Sequence, residues 1–312
     1  MVAKQNLVLS STHLDSQGCV MTKEALDSGL LYLNGERRVK LGIEHIRTFP
    51  PMGAIINGAV VQGNDQAYYL IGESIYFDKI EQAVLEDGTV LMKESFKKGN
   101  KPFWDSKIEE IGIISISTDP ANFEDFVGYE DLMDTLRRET DIDFEQSMVG
   151  RKSNLADPEL IIKLTNTLAV ALGLGATKIP QKLGEAVGAD VVKFYKLLTT
   201  SAVEMIKRTI PANRPKNFVI QYNYTKYAIE LIITTNSHNE VIKAVSEEKL
   251  KTLKEKIERL KNLKPEKIQF IFNKDKEWEF NYLLTKKGEA IGNKKAFKNR
   301  NEMYKKLLKD QN

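Results

Sequence analysis

Between residues 6 and 116 apolar and polar positions alternate in short runs. "NLVLSS", "AIINGAVV", "AYYLIGESIYFD", "TVLMKESF" and "IGIISIST" follow one another, separated by turn residues such as Gly63-Asn64-Asp65 and Asp87-Gly88. A period of two bounded by such turns predicts β-strands. One helix is expected from Thr22, as N-cap, to about Gly35, and a shorter one over "DKIEQAVLED". Residues 1–118 therefore read as a β-rich, barrel-like domain with small helices.

The pattern then changes. Phe123, Phe126, Tyr129, Leu132 and Leu136 recur at three- and four-residue spacing, which predicts one apolar helix face. Ten acids and two arginines lie between Asp119 and Glu145, so this segment, 119–156 with its linker "EQSMVGRKSN", is an acidic amphipathic helix. From Asp157-Pro158, an N-cap followed by proline, "ELIIKLTNTLAVALGLGA" is apolar nearly all round. It reads as a buried core helix, or as one that lies on or inserts into a membrane; it is short of the roughly 20 residues a bilayer span needs. A second long helix follows in "PQKLGEAVGADVVKFYKLLTTSAVEMIKRT". The period returns to two in "KNFVIQYNY" and "KYAIELIITT", and again in "KIQFIFN" and "WEFNYLLT" around "KDKE". A charged helix lies between the two hairpins and a basic one closes the chain. Residues 157–312 are thus expected to form a separate α+β domain in the order ααββαββα, with an antiparallel sheet.

Charge sharpens this division. Residues 1–150 hold 14 Lys+Arg against 25 Asp+Glu, net −11, and residues 151–312 hold 32 against 18, net +14. Halves of opposite sign imply attraction within or between chains, hence a protein partner or self-association. A membrane surface is a second partner class, and nucleic acid on the basic half a third and weaker one, since no arginine-rich tract occurs. The single cysteine, Cys19, excludes an intramolecular disulfide and any zinc-type cysteine pair, which fits a reducing compartment. The apolar run near the N-terminus is shorter than a signal peptide core. A cytoplasmic protein of bacterial or phage origin is expected, with no cofactor and no metal.

Three histidines limit the candidate chemistry. His45, in "VKLGIEHIRTFPPMGAII", sits between an apolar run and a Pro-Pro-Met-Gly turn. It reads either as a histidine that holds its turn or as a general base. Ser74, Ser115 and Ser117 lie in strand-like runs; Ser115 and Ser117 share a face, two residues apart. Each reads as an ordinary strand serine or as a nucleophile that needs a base within reach. Cys19 is a buried thiol or a nucleophile, and Trp278, Phe280 and Tyr282 a core face or a stacking platform.

The stretch "LSSTHLDSQGCVMTKEALDSG", followed by "VKLGIEHIRTFPPMGAIINGAVV", resembles the opening of the prohead (capsid maturation) serine proteases of tailed phages. The likeness lies in the turn Asp15-Ser16-Gln17-Gly18-Cys19-Val20-Met21, the histidine on a strand, and Met52-Gly53-Ala54-Ile55 after it. That resemblance implies a herpesvirus assemblin-like barrel in the first third of the chain, with His45 as catalytic base and Ser115, in "GIISIS", as nucleophile. Asp15, Glu44 and His13 are the candidates for a third member. The implied function is a serine endopeptidase able to process itself. The alternative is a catalytically inactive form of the fold that serves as an oligomerisation or partner- and membrane-binding module in phage or anti-phage biology.

Overall fold

The computed structural model describes residues 5–14, 20–106, 111–148, 157–175 and 184–310. The chain is an α+β protein. Its contacts divide it into two units that do not follow chain order. Unit 1 is Met1–Ile43, Phe49–Lys107 and Tyr282–Asn312; unit 2 is Glu44–Thr48 and Ile108–Asn281. The expected boundaries at 118 and 156 are therefore not where the units part: the acidic segment belongs with the chain after it up to Asn281, and Tyr282–Asn312 joins unit 1. Charge regroups with them. Unit 1 holds 20 Lys+Arg against 15 Asp+Glu, net +5, and unit 2 holds 26 against 28, net −2. The strong split along the chain largely vanishes once the lysine-rich C-terminus is counted with the acidic N-terminal segments.

Unit 1 begins with strand β1 (Gln5–Ser11), helix α1 (Lys23–Asn34) and strands β2 (Val39–Leu41), β3 (Gly53–Gln62) and β4 (Tyr68–Tyr76). The Thr22 hydroxyl caps α1 by accepting from the Ala25 amide at 3.2 Å, as its sequence predicts. The four strands form one antiparallel sheet in the order β1-β4-β3-β2. Leu26 and Leu33 of α1 pack with Leu41, Met52, Ile55 and Leu70 as a core. Gly53 is required here, because a Cβ would lie 1.8 Å from the Ile75 carbonyl oxygen.

The helix expected over "DKIEQAVLED" is instead strand β5 (Lys79–Val84), paired with β6 (Val90–Ser95). The Asp-Gly turn decides it. Gly88 takes a left-handed φ of 83° and the Leu85 amide donates to the Thr89 carbonyl at 2.9 Å, which closes a hairpin.

Unit 2 contains β7 (Ile114–Thr118), α2 (Phe126–Thr140), β8 (Phe144–Met148), β9 (Glu159–Lys163), α3 (Asn166–Ala171), α4 (Gly184–Arg208), β10 (Lys216–Tyr224), β11 (Tyr227–Thr235), α5 (His238–Ala244), α6 (Glu247–Leu260) and β12 (Pro265–Phe272). Strand β13 (Trp278–Thr285) contributes its first half. Two expectations fail in physical terms. The apolar helix from residue 159 is a buried strand, β9, then a short helix capped by Thr165; Leu160, Ile161 and Ile162 are at most 4% exposed. A short apolar run rich in β-branched residues fits a strand buried on both faces as well as it fits a helix. This segment is core, not a membrane-active helix, and no helix among the described residues is long and apolar enough to cross a membrane. The linker "EQSMVGRKSN" begins inside β8; its later residues, 149–154, lie outside the described ones.

The sheet of unit 2 is mixed rather than antiparallel. β7 and β8, β9 and β10, and β11 and β12 are parallel pairs, each joined through helices, and these doublets meet antiparallel. Leu160, Phe218, Leu231 and Phe270 share one face by register. The helices cover that face, since the Trp278 indole, packed at a tilt against Phe272, donates to the Ala244 carbonyl of α5 at 2.9 Å. Trp278 is thus core. α2 buries Tyr129, Leu132, Met133 and Leu136 but leaves Phe126, expected inside, 51% exposed.

Unit 1 is completed by β14 (Ala290–Gly292), which pairs with β13 and β6, and by α7 (Lys294–Asp310). α7 lays Met303, Tyr304 and Leu307 on the core beneath α1. Its expected basic face is exposed at the lysines, but Arg300 is buried and paired with Glu94.

Candidate functional site

The face of the unit 2 sheet away from the helices carries a row of polar side chains, several of them buried, beside a small apolar cluster. Register sets Glu145, Ser115, Lys163, Gln221, Glu230 and Gln269 side by side, one from each strand from β8 to β12. Asn281 of β13 extends the row, its amide donating to Gln269 Oε1 at 2.6 Å. Glu159 lies on the same face two residues from Ile161, in register with Asn217.

Arg47 ties this face together. Its Nε and Nη2 donate to Glu159 at 2.7–3.2 Å, and its Nη1 donates to Glu230 Oε2 at 2.8 Å. Lys267 Nζ reaches Glu230 Oε1 at 2.8 Å, and the amides of Gln221 and Gln269 donate to the same carboxylate at 2.6 and 2.7 Å. Glu159, Glu230 and Lys267 are at most 2% exposed. Two cations therefore meet two carboxylates out of water, each held by hydrogen bonds, the arrangement that makes burial of charge tolerable. Burial alone would push the Glu230 carboxyl up, but Lys267 and Arg47 together outweigh it and hold the group well below the usual carboxylate range.

This network fixes the turn that carries His45. Glu44 and His45 both adopt left-handed backbone, with φ of 45° and 57°, which costs energy for residues with a Cβ. Just after them the Arg47 carbonyl accepts from Gln269 Nε2 at 3.1 Å and the Thr48 carbonyl from Asn281 Nδ2 at 2.7 Å. The side chains on the sheet thus hold the turn in place, and His45 is exposed at its tip.

Ser115 occupies a different setting. It is 5% exposed, the second residue of β7, with β9 on one side and β8 on the other. Ser117 is 3% exposed, and the next positions of its row, Ile161, Val219 and Ile232, form an apolar cluster. Ser74, in unit 1, donates to the Gln5 carbonyl at 3.3 Å and is 1% exposed. His13 Nε2 lies 2.9 Å from Asp65 and 2.8 Å from the Tyr69 hydroxyl, in unit 1. Asp15 and Cys19 lie outside the described residues. What the sequence reading missed is the charged core of the face: Arg47, Glu159, Glu230 and Lys267. A signal was present, since "FVIQY" and "AIELII" carry Gln221 and Glu230, and "KIQFIF" carries Lys267 and Gln269, within apolar strands. Among the described residues no three His, Cys, Asp or Glu side chains converge as metal ligands.

No known protein family matches this chain, no curated protein matches it, and no solved structure matches its fold.

Proposed function

We propose that this chain is a binding module that works without covalent catalysis at Ser115, an inactive counterpart of the serine peptidase its N-terminal sequence suggests. The observation that carries this reading is the setting of Ser115. A nucleophile needs an approach for the substrate and free amides to stabilise an oxyanion. At 5% exposure in a strand paired on both sides, Ser115 offers little approach, and the neighbouring amides are committed to the ladder. Labelling of the folded chain with a fluorophosphonate is expected to leave Ser115 unmodified; stoichiometric labelling that disappears in both Ser115→Ala and His45→Ala would restore the peptidase reading. One observation keeps that second reading in view: Ser115 lies on the sheet face to which the His45 turn is bound.

Self-association is the mode of binding we favour. The start of α2 exposes Phe126 and Val127, 51% and 62%, among Glu124, Asp125, Glu130 and Asp131. The outer face of α7 exposes Lys294, Lys295, Lys298, Lys305, Lys306 and Lys309. An acidic, partly apolar patch on one copy suits the basic helix of another. Sedimentation velocity should then show an oligomer at low ionic strength that dissociates above roughly 0.3 M salt, where the screening length falls to a few ångströms. A monomer at every salt concentration would rule this mode out.

A further inference from the structure

In unit 1 the end of α1 and the residues after it, the middle of β3, the end of β4 and the segment 98–101 line a cleft of about 370 Å³. Its wall is aliphatic, from Leu33, Ile55 and Ile75, while Arg37, Arg38, Lys98 and Lys101 line it without a single Asp or Glu. The floor is a built feature. β3 loses register between Ile56 and Ala59, and Asn57 takes a left-handed φ of 51°. Asn34 clamps this bulge from both sides, donating to the Gly58 carbonyl and accepting from the Gly58 amide, each at 2.9 Å.

Arg38 makes the cleft unusual. Its side chain lies in a residue only 8% exposed, yet among the described residues it pairs with no carboxylate. Its guanidinium stacks on Phe96 at 4.3 Å and gives one long hydrogen bond, 3.4 Å, to the Lys101 carbonyl. The backbone holds it in place: the Arg38 amide donates to the Pro102 carbonyl at 2.7 Å and its carbonyl accepts from the Trp104 amide at 2.9 Å. Two glycines make room for the head group. A Cβ on Gly99 would lie 2.8 Å from Nη2, and one on Gly288 would lie 2.9 Å from Nη1. A guanidinium in a residue this little exposed, with most of its five donors uncommitted and still reached by solvent through the cleft, is a ready site for an anion.

We propose that this cleft binds a small phosphorylated organic molecule, with its phosphate on Arg38 and the lysines and its body along the aliphatic wall. Arg38, Lys98 and Lys101 together exceed what a carboxylate would need and match a phosphate dianion, which a guanidinium grips with two parallel hydrogen bonds. The volume falls in the range of small-molecule sites and suits a ligand about the size of a nucleoside monophosphate. This site is independent of the polar face of unit 2 and of the self-association above.

Calorimetric titration of the full chain with AMP, phenyl phosphate, inorganic phosphate and adenosine tests it. AMP and phenyl phosphate are expected to bind, inorganic phosphate more weakly, and adenosine not at all at about 1 mM. Arg38→Met should weaken AMP binding by roughly tenfold or more, as expected for loss of a charge-assisted bidentate contact. Lys98→Glu, at an exposed position where folding is not at stake, should weaken it by about threefold or more, and it decides the question if Arg38→Met misfolds. Failure of wild type to bind any of the three phosphates overturns the proposal. So does equal affinity for adenosine and AMP, or unchanged AMP affinity in the folded variants.

Discussion

Glu230→Ala is expected to destabilise the chain by about 3–5 kcal/mol in urea unfolding, among the largest effects of any single substitution here. The carboxylate is fully buried and answers both Arg47 and Lys267 at 2.8 Å. Removing it takes from Lys267, at 2% exposure, the carboxylate it meets at 2.8 Å, and takes an acceptor from the amides of Gln221 and Gln269. The pH dependence has a definite sign. A carboxyl held below its unfolded value contributes stability that is fully present above the unfolded pKa, near 4.3, and is lost progressively as pH falls below it. Wild type should therefore lose stability steeply in that acid range, and Glu230→Ala should show a flatter profile there. A cost under about 1 kcal/mol, or an unchanged acid slope, would mean that the network carries little of the fold's stability.

Arg300→Ala is the second large effect, expected at about 3–5 kcal/mol as well. Arg300 is 4% exposed and grips Glu94, itself 5% exposed, through Nη1 and Nη2 at 2.9 Å each; Nη1 also donates to the Pro51 carbonyl at 2.6 Å. The substitution strands a buried carboxylate and an orphaned carbonyl, and loosens the helix that lays Met303, Tyr304 and Leu307 on the core. Limited proteolysis should cut within Lys294–Asp310 far faster than in wild type. The double variant Glu94→Met, Arg300→Met should recover much of the loss, because an apolar pair of similar volume removes both charges together. A double variant no better than Arg300→Ala would place the loss in packing around Phe297, over which the guanidinium lies at 5.0 Å, rather than in the unpaired charge.

Several local features were readable from the chain, each for a local reason. Thr22 starts α1 because a hydroxyl at that position satisfies an amide of the first turn. The hairpin of β10 and β11 follows from a period of two broken at one turn. The reading failed where two structures compete for the same pattern. Leu160, Ile161 and Ile162 of "ELIIK" form an apolar run that fits helix or strand, so its neighbours β7 and β10 make it a strand. "DKIEQAV" has helix-forming residues, and the Asp-Gly hairpin overrides them.

The candidate site shows the same division. Sequence marked His45 and Ser115 as residues able to do chemistry, and His45 does sit on a held, strained turn. It gave no sign that Ser115 would be enclosed between two paired strands, because enclosure depends on strands far apart in the chain. Arg47 meets Glu159 and Glu230 across 112 and 183 residues, and the Arg38 guanidinium fits beside Gly99 and Gly288, far from it in the chain.

By itself, then, the sequence determined the mixed α+β class and those elements, caps and turns whose spacing within a few residues is unambiguous, such as α1 from Thr22 and the hairpin of β10 and β11. Only the tertiary structure decided how segments group into units, how the charge of +5 and −2 falls between them, and which polar side chains become buried. Those outcomes depend on contacts that close long loops, and periodicity along the chain carries no record of which distant strand or helix will supply the partner.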